Sequence, residues 1–196
     1  MIPEWDPFYR AQPVEGMPWY FKDLDPDLED ALLRCGVASG AALDIGTGPG
    51  TQAMALAERG YRVTGTDIAE AAVEQAAAKA RERGLAVSFK VDDILHTALS
   101  DPFDFAFDRG CFHVLPVSAR ADYVRTVAGL LRPGGYLFLK TFSTLQPGEI
   151  GPYKFAPDDI KSIFSGFFEI LSSRETIYQG TFDPPPRALF SVLKKL

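Results

Sequence analysis

Ala41-Ala42-Leu43-Asp44-Ile45 followed by Gly46-Thr47-Gly48-Pro49-Gly50 is the stretch on which the fold turns. The first five residues read as a buried strand, and the next five as a glycine-rich turn. The segment Thr51 to Arg59 reads as a helix, which Gly60 stops. A nicotinamide-dinucleotide fingerprint needs glycines at the first, third and sixth places, the last for tight helix packing under a pyrophosphate. Here they stand at Gly46, Gly48 and Gly50, and the sixth place is Thr51. Pro49 stiffens a backbone that something must approach closely. Asp44 puts negative charge beneath the loop, which opposes a diphosphate and suits a ligand bearing an amino group. Taken alone the loop could be a plain structural turn. Strand, loop, helix, strand and acid in succession make a binding loop the stronger reading.

The same alternation continues outward. Tyr61 to Thr66 is a second strand ending at Asp67, and Ala69 to Arg83 an Ala-rich helix with an apolar stripe at Ala72, Val73, Ala76, Ala77 and Ala80. Val87 to Val91 is a third strand before Asp92-Asp93. Phe103 to Phe107 is a fourth, before Asp108-Arg109-Gly110. A helix from about Ser118 to Leu131 leads through Arg132-Pro133-Gly134-Gly135 into a fifth strand, Tyr136 to Lys140. This pitch means a mostly parallel α/β sheet with right-handed crossovers. The last third breaks the rhythm. A helix begins at Ala156-Pro157-Asp158-Asp159, and strands near Phe168–Thr176 and Arg187–Leu193 form an antiparallel pair at one edge. Pro184-Pro185-Pro186 between them cannot sit in a central strand. Upstream, the segment to about Tyr20 holds Trp5, Phe8, Tyr9, Trp19 and Tyr20 without period. It reads either as an irregular surface arm or as a lid over a pocket. Asp25-Pro26 starts a helix that ends near Gly36.

At 196 residues, 46% hydrophobic and 23% charged, the chain has the balance of one globular domain. The expected division is an arm and helix over 1–36 and a binding core over 37–196. A net charge of −6 works against a nucleic-acid partner. No apolar stretch approaches the roughly 18 residues of a membrane span. Met1 to Pro7 has neither the basic region nor the apolar run of a signal peptide. Two distant cysteines, Cys35 and Cys111, with only His96 and His113 available as further ligands, argue against a structural zinc site. A reduced, cytoplasmic setting follows, with the chain a monomer or homodimer and no metal.

Ligands of open α/β sheets bind beyond the carboxyl ends of the strands. Asp67, one βα unit after the glycines, can accept both hydroxyls of a ribose without a 2′-phosphate, or cap the next helix, or both. An acid followed by an apolar residue at the third strand's end can take an adenine amino group while the next N–H meets a ring nitrogen. Asp93 with Ile94 is preferred over Asp92; capping or exposure is the competing reading.

This assembly resembles the class I S-adenosylmethionine-dependent methyltransferases. The matching stretches are Ala41 to Gly50, Val63 to Asp67, Asp93-Ile94 and Leu131 to Gly135. The likeness covers about residue 40 to 196. It implies a Rossmann-like sheet of seven strands in the order 3-2-1-4-5-7-6, the seventh antiparallel, with helices on both faces. A narrower likeness joins Phe103 to His113, with Arg120 and Tyr123, to the thiopurine-methyltransferase and tellurite-resistance-like branch. Gly16 to Tyr20 is similar to that branch's Pro-Trp entry segment, and Gly151 to Phe155 to its active-site loop. The resemblance implies S-adenosyl-L-methionine as cofactor. Its site would be lined by Trp19, Tyr20, Asp44, Gly46, Thr47, Gly48, Gly50, Asp67, Ile68, Asp93, Ile94 and Asp108. Phe112 and Tyr153 would face a small-molecule acceptor. The family's acceptor does not transfer, because Tyr153 and Phe155 stand where thiopurine-type members vary.

Methyl transfer needs an in-line nucleophile, so positioning supplies much of the catalysis. A thiol or other soft acceptor needs no strong base, whereas oxygen or nitrogen acceptors want one. His113 is the candidate base, weighed against a satisfied structural histidine. Arg109 can hold an anionic acceptor or the cofactor carboxylate, or serve in a structural ion pair. Asp108 is better suited to orienting its loop than to taking a proton, and Cys111 shows no sign of a depressed pKa. The rivals are a cofactor-binding accessory or regulatory protein, and an NAD-dependent oxidoreductase that Thr51 disfavours.

Overall fold

A computed structural model describes residues 4–11, 13–148 and 151–196. The first three residues, part of the stretch read for a signal peptide, lie outside them. The strands are β1 (Ala41–Ile45), β2 (Arg62–Asp67), β3 (Val87–Val91), β4 (Phe103–Arg109), β5 (Leu131–Ser143), β6 (Lys154–Phe155), β7 (Phe168–Ile177) and β8 (Arg187–Lys195). They form one sheet in the order β3-β2-β1-β4-β5-β8-β7, with the two-residue β6 beside β5. Apart from that extra strand, this is the expected order. The last strand, β8, runs antiparallel to both β5 and β7, while β1 to β5 are parallel.

The helices are α1 (Trp5–Ala11), α2 (Pro26–Arg34), α3 (Thr51–Glu58), α4 (Glu70–Glu82), α5 (Arg120–Leu130) and α6 (Pro157–Phe164). Side chains alternate across the sheet and feed a core on each face. Leu43, Leu137, Leu139 and Leu189 pack with Tyr123, Phe155 and Phe164 on one side. Phe105, Phe107, Phe138 and Phe190 pack with Leu28, Leu32 and Leu56 on the other.

Most boundaries fall within a few residues of the sequence reading, and two differences bear on the site. β5 begins at Leu131 and not Tyr136, because Leu131 pairs with Phe103 before a register shift that the Pro133-Gly134-Gly135 stretch absorbs. Trp5–Ala11 is a helix and not irregular. It docks on α4, where the Asp6 carboxylate accepts from the Ala71 N–H at 2.7 Å and Gln75 Nε2 donates to the Tyr9 carbonyl at 3.0 Å. Tyr9, Val14 and Met17 bury against Ala69 and Ala72, with Trp5, Phe8 and Trp19 packed on them.

A buried ion cluster fixes α2 to the sheet. Asp25 caps α2, accepting from the Asp27 N–H at 3.0 Å. Lys140, in the middle of β5 and 0% exposed, donates to Asp25 at 2.8 and 2.9 Å, to Asp27 at 2.7 Å and to Gln179 at 2.6 Å. Burial pushes the Asp27 carboxyl up, but Lys140, Thr176 and Arg174 outweigh it and hold the group below its usual range. Removing one partner of such a set strands the others without water. Lys140→Met is expected to cost about 3–5 kcal/mol of unfolding free energy, read from urea denaturation at neutral pH.

Candidate functional site

The carboxyl ends of β2, β1 and β4 lie side by side, and each delivers a buried carboxylate. Between them runs the glycine loop, with Gly46, Gly48 and Gly50 at φ 64°, 50° and 75°. A side chain is strained at such angles. At Gly48 it would also strike the arm, since a Cβ there would stand 2.7 Å from the Tyr9 hydroxyl. The loop's bare backbone therefore faces Tyr9, a residue that no sequence pattern separates from its aromatic neighbours.

Asp44 accepts from Thr47 Oγ1 at 2.6 Å, and burial pushes its carboxyl up to about 7 against the bonds from Thr47 and the Ala53 N–H. Asp67 accepts from the Gly48 N–H and the Ala69 N–H, both at 2.9 Å, and burial raises it as well. It thus ties the glycine loop to the start of α4 with one oxygen each way. Asp108, raised to about 6 by burial, accepts from the N–H groups of Gly110, Cys111 and Phe112 and from the Tyr123 hydroxyl at 2.6 Å. Asp93 accepts from the Leu95 N–H at 3.0 Å and meets the His96 ring at 2.8 Å, with Ile94 buried beside it. One oxygen of neighbouring Asp92 is buried without a partner among the described residues. Ile68, 58% exposed, presents an apolar side chain next to Asp67. Tyr20 is half-buried at the end of the arm.

Four expected roles do not survive the geometry. The Asp108 carboxylate is filled by its own loop, so it shapes that loop and has no lone pair to spare for a cofactor. Arg109 is a pin: Nε donates to Asp25 at 2.9 Å, Nη1 to the Trp19 carbonyl at 3.0 Å, and Nη2 to the Gln179 carbonyl. It joins α2, the arm and the β7–β8 loop and does not reach for an acceptor. His113 takes the Phe142 N–H on Nδ1 at 3.2 Å, which leaves its proton on Nε2. Burial, with Arg109 nearby, lowers its pKa to about 3. With one nitrogen occupied and the other protonated it cannot serve as a base. Phe112, 0% exposed, lies in the core among Tyr123, Phe155 and Phe164 and lines no acceptor space. Tyr153 is 46% exposed on the loop before β6, its ring 4.6 Å from the Arg120 guanidinium and its N–H on the His113 carbonyl at 2.8 Å. Cys111 is no nucleophile either, since burial raises its thiol well above the usual value.

The chain's residues 42–135 match a family model described as a methyltransferase domain. A 2-heptyl-1-hydroxyquinolin-4(1H)-one methyltransferase of Mycobacteroides abscessus is 30% identical, over 83% of this chain and 74% of that protein. A thiopurine S-methyltransferase of Legionella pneumophila is 27% identical, over 80% of this chain and 79% of its own. Among solved structures, one described as "Conversion of a Disulfide Bond into a Thioacetal Group during Echinomycin Biosynthesis" superposes with a TM-score of 0.84. It is 26% identical and covers 97% of this chain and 91% of that one.

The raised Asp44 has a thermodynamic signature. Its proton is held more tightly folded than unfolded, so the native state loses stability as pH rises from about 4, the ordinary Asp value, to about 7. Asp44→Asn keeps an oxygen for Thr47 and does not titrate. Its urea midpoint is expected to match wild type near the lower end of that window and exceed it above the upper end.

Proposed function

The chain belongs to the class I S-adenosylmethionine-dependent methyltransferases and acts on a small molecule, and from that premise we propose which residues divide the work and what acceptor they suit. One observation carries the reading. Asp44, Asp67 and Asp108 are buried at the ends of three adjacent strands, each pushed up by desolvation. Arg109, which lies beside Asp44, is engaged with Asp25. Such a site is short of positive charge, and a cationic ligand relieves it.

The residues fit the cofactor group by group. Asp67 takes the Gly48 and Ala69 N–H groups on separate oxygens, with the Ile68 N–H also acting on it, and would keep a lone pair for a ribose hydroxyl. Asp44, steadied by Thr47, would pair with the ammonium. Gly46 and Gly48 let the backbone approach the amino-acid tail, and Tyr9 would meet that tail from the arm. Asp93 and Ile94 would take the adenine edge, with Ile68 against its face. Trp19 and Tyr20 belong to the arm over 1–36, which would act as a lid on the core over 37–196; residues 1–3 and 12 of it lie outside the described structure. Bound S-adenosylmethionine supplies a sulfonium methyl. The chain's part is to aim the acceptor and exclude water, so that charge is neutralised in a dry site.

The acceptor would be a thiol or another nucleophile that arrives ionised. His113 cannot take its proton, and the Asp108 oxygens are occupied by their loop. The thiopurine S-methyltransferase, named for a sulfur acceptor, supports this reading, and the other relative is named for a hydroxyquinolone.

Asp67→Ala is expected to weaken S-adenosylhomocysteine binding roughly ten- to a hundredfold by calorimetry, the loss of about 1.5–3 kcal/mol of charged hydrogen bonding. In a series of thiols of graded acidity, the break in kcat/KM against pH should move with each thiol's own pKa. A break fixed at one pH for all of them would mean an enzyme base and overturn the reading.

A further inference from the structure

Gly110, just beyond β4 at φ 114°, bares its backbone to two polar tips. A Cβ on it would stand 2.7 Å from the Tyr178 hydroxyl and 3.3 Å from His113 Nε2. Tyr178 follows β7 and is buried, its N–H bonded to the Pro186 carbonyl at 2.7 Å. Its ring stacks on His113, with centroids 5.9 Å apart, and sets its edge to Phe142 at 5.3 Å; Phe142 in turn meets His113 at 5.1 Å. Both rings are thus held rigidly while their polar ends converge.

Each end is a donor. The bond from the Phe142 N–H to Nδ1 fixes the His113 proton on Nε2. Burial drives the Tyr178 hydroxyl further from ionising, so it too keeps its hydrogen. The nearest charges belong to the paired cluster: the Arg109 guanidinium lies 4.7 Å from the Tyr178 ring centroid and Lys140 Nζ 5.9 Å, and Asp25 and Asp27 neutralise them. Asp25, Asp108 and Cys111 also act on the tyrosine. Asp25 is bonded to both cations, Asp108 is saturated by its loop, and Cys111 is a neutral thiol. With the charges beneath them paired, two neutral donors with no acceptor between them offer an anion hydrogen bonds and offer a cationic amine none.

We propose that Tyr178 Oη–H and His113 Nε2–H form a two-donor clamp for the anionic oxygen or sulfur of an aromatic acceptor, with Tyr178 the residue that determines specificity. This deepens the reading above and rests on its base-free acceptor. An aryl thiolate or aryloxide offers three lone pairs. Two would be held by the clamp and the third left to form the new bond to the methyl carbon. The methyl's former bonding pair stays with the donor sulfur, so no proton has to move. Tyr178 and His113 position the acceptor and neither ionises.

The test uses the full chain saturated with S-adenosylhomocysteine and 4-nitrophenol, a chromophore that ionises near neutrality. On wild type its spectral pKa is expected at least about one unit below the value in buffer, because the clamp favours the anion. Tyr178→Phe keeps the ring and should return the pKa by about one unit and weaken nitrophenolate binding roughly tenfold. Its affinity for S-adenosylhomocysteine and its melting temperature should stay as in wild type. Nitrophenolate that fails to bind wild type, or binds Tyr178→Phe with unchanged pKa and affinity, overturns the clamp. A variant that loses S-adenosylhomocysteine affinity or stability shows a structural tyrosine and overturns it too. The thiol series judges the base-free reading separately, since its break depends on wild type alone.

Discussion

The site depends on a knot of charge that water does not reach. Lys140 and Arg109 come from neighbouring parallel strands and converge on Asp25, the cap of a helix from the other end of the chain. A buried set of this kind contributes little net stability, since each ion gives up hydration to join it. What it supplies is position. Apolar side chains in its place would pack equally well but would not hold the Trp19 and Gln179 carbonyls at fixed points around one guanidinium. The arm, the first core helix and the β7–β8 loop therefore have one arrangement in common.

Around that knot the chemistry divides into two halves. Over β2, β1 and β4 the buried groups are acids, with little positive charge of their own to offset them. Toward β7 they are neutral donors above an ion cluster whose charges are already paired. The first half suits a positively charged methyl donor, and the second suits a negatively charged acceptor. The same low dielectric that makes each unpaired group costly sharpens this preference on both sides.

What sequence could reveal followed the length scale of the interaction. Strand order came through because period, glycine punctuation and the antiparallel ending are local patterns. The places of the glycine loop, Asp44 and Asp67 at the strand ends were legible for the same reason: their partners Thr47, Gly48 and Ala69 lie in the loop itself or at the next strand's end. Sequence left Arg109 open between an ion pair and an acceptor contact because its carboxylate is 84 residues away, and His113 open between structure and catalysis because the amide that fixes its tautomer is 29 residues on. Lys140 looked like a strand's polar end until Asp25, 115 residues distant, enclosed it. Phe112 sits in a turn that looks exposed, and only the packing of α5, α6 and β6 buries it. Tyr178 carried no motif, and only the folded edge brings it over Gly110.

The β7–β8 loop makes the arm and the acceptor side a single mechanical body. The Thr181 N–H donates to the Pro18 carbonyl at 3.0 Å, and Arg109 holds the carbonyls of Trp19 and Gln179 together. Tyr178 belongs to that loop. If the arm lifts to admit a cofactor, the contacts that set Tyr178 over Gly110 loosen with it; when the arm returns, they re-form. An anion and a sulfonium would then meet only where water has been shut out. There the loss of both charges in the transition state is favoured most, since neither is any longer stabilised by solvent. On the proposed reading, closure and acceptor alignment would follow from the same few hydrogen bonds, and a base-free site would confine the reaction to the closed state.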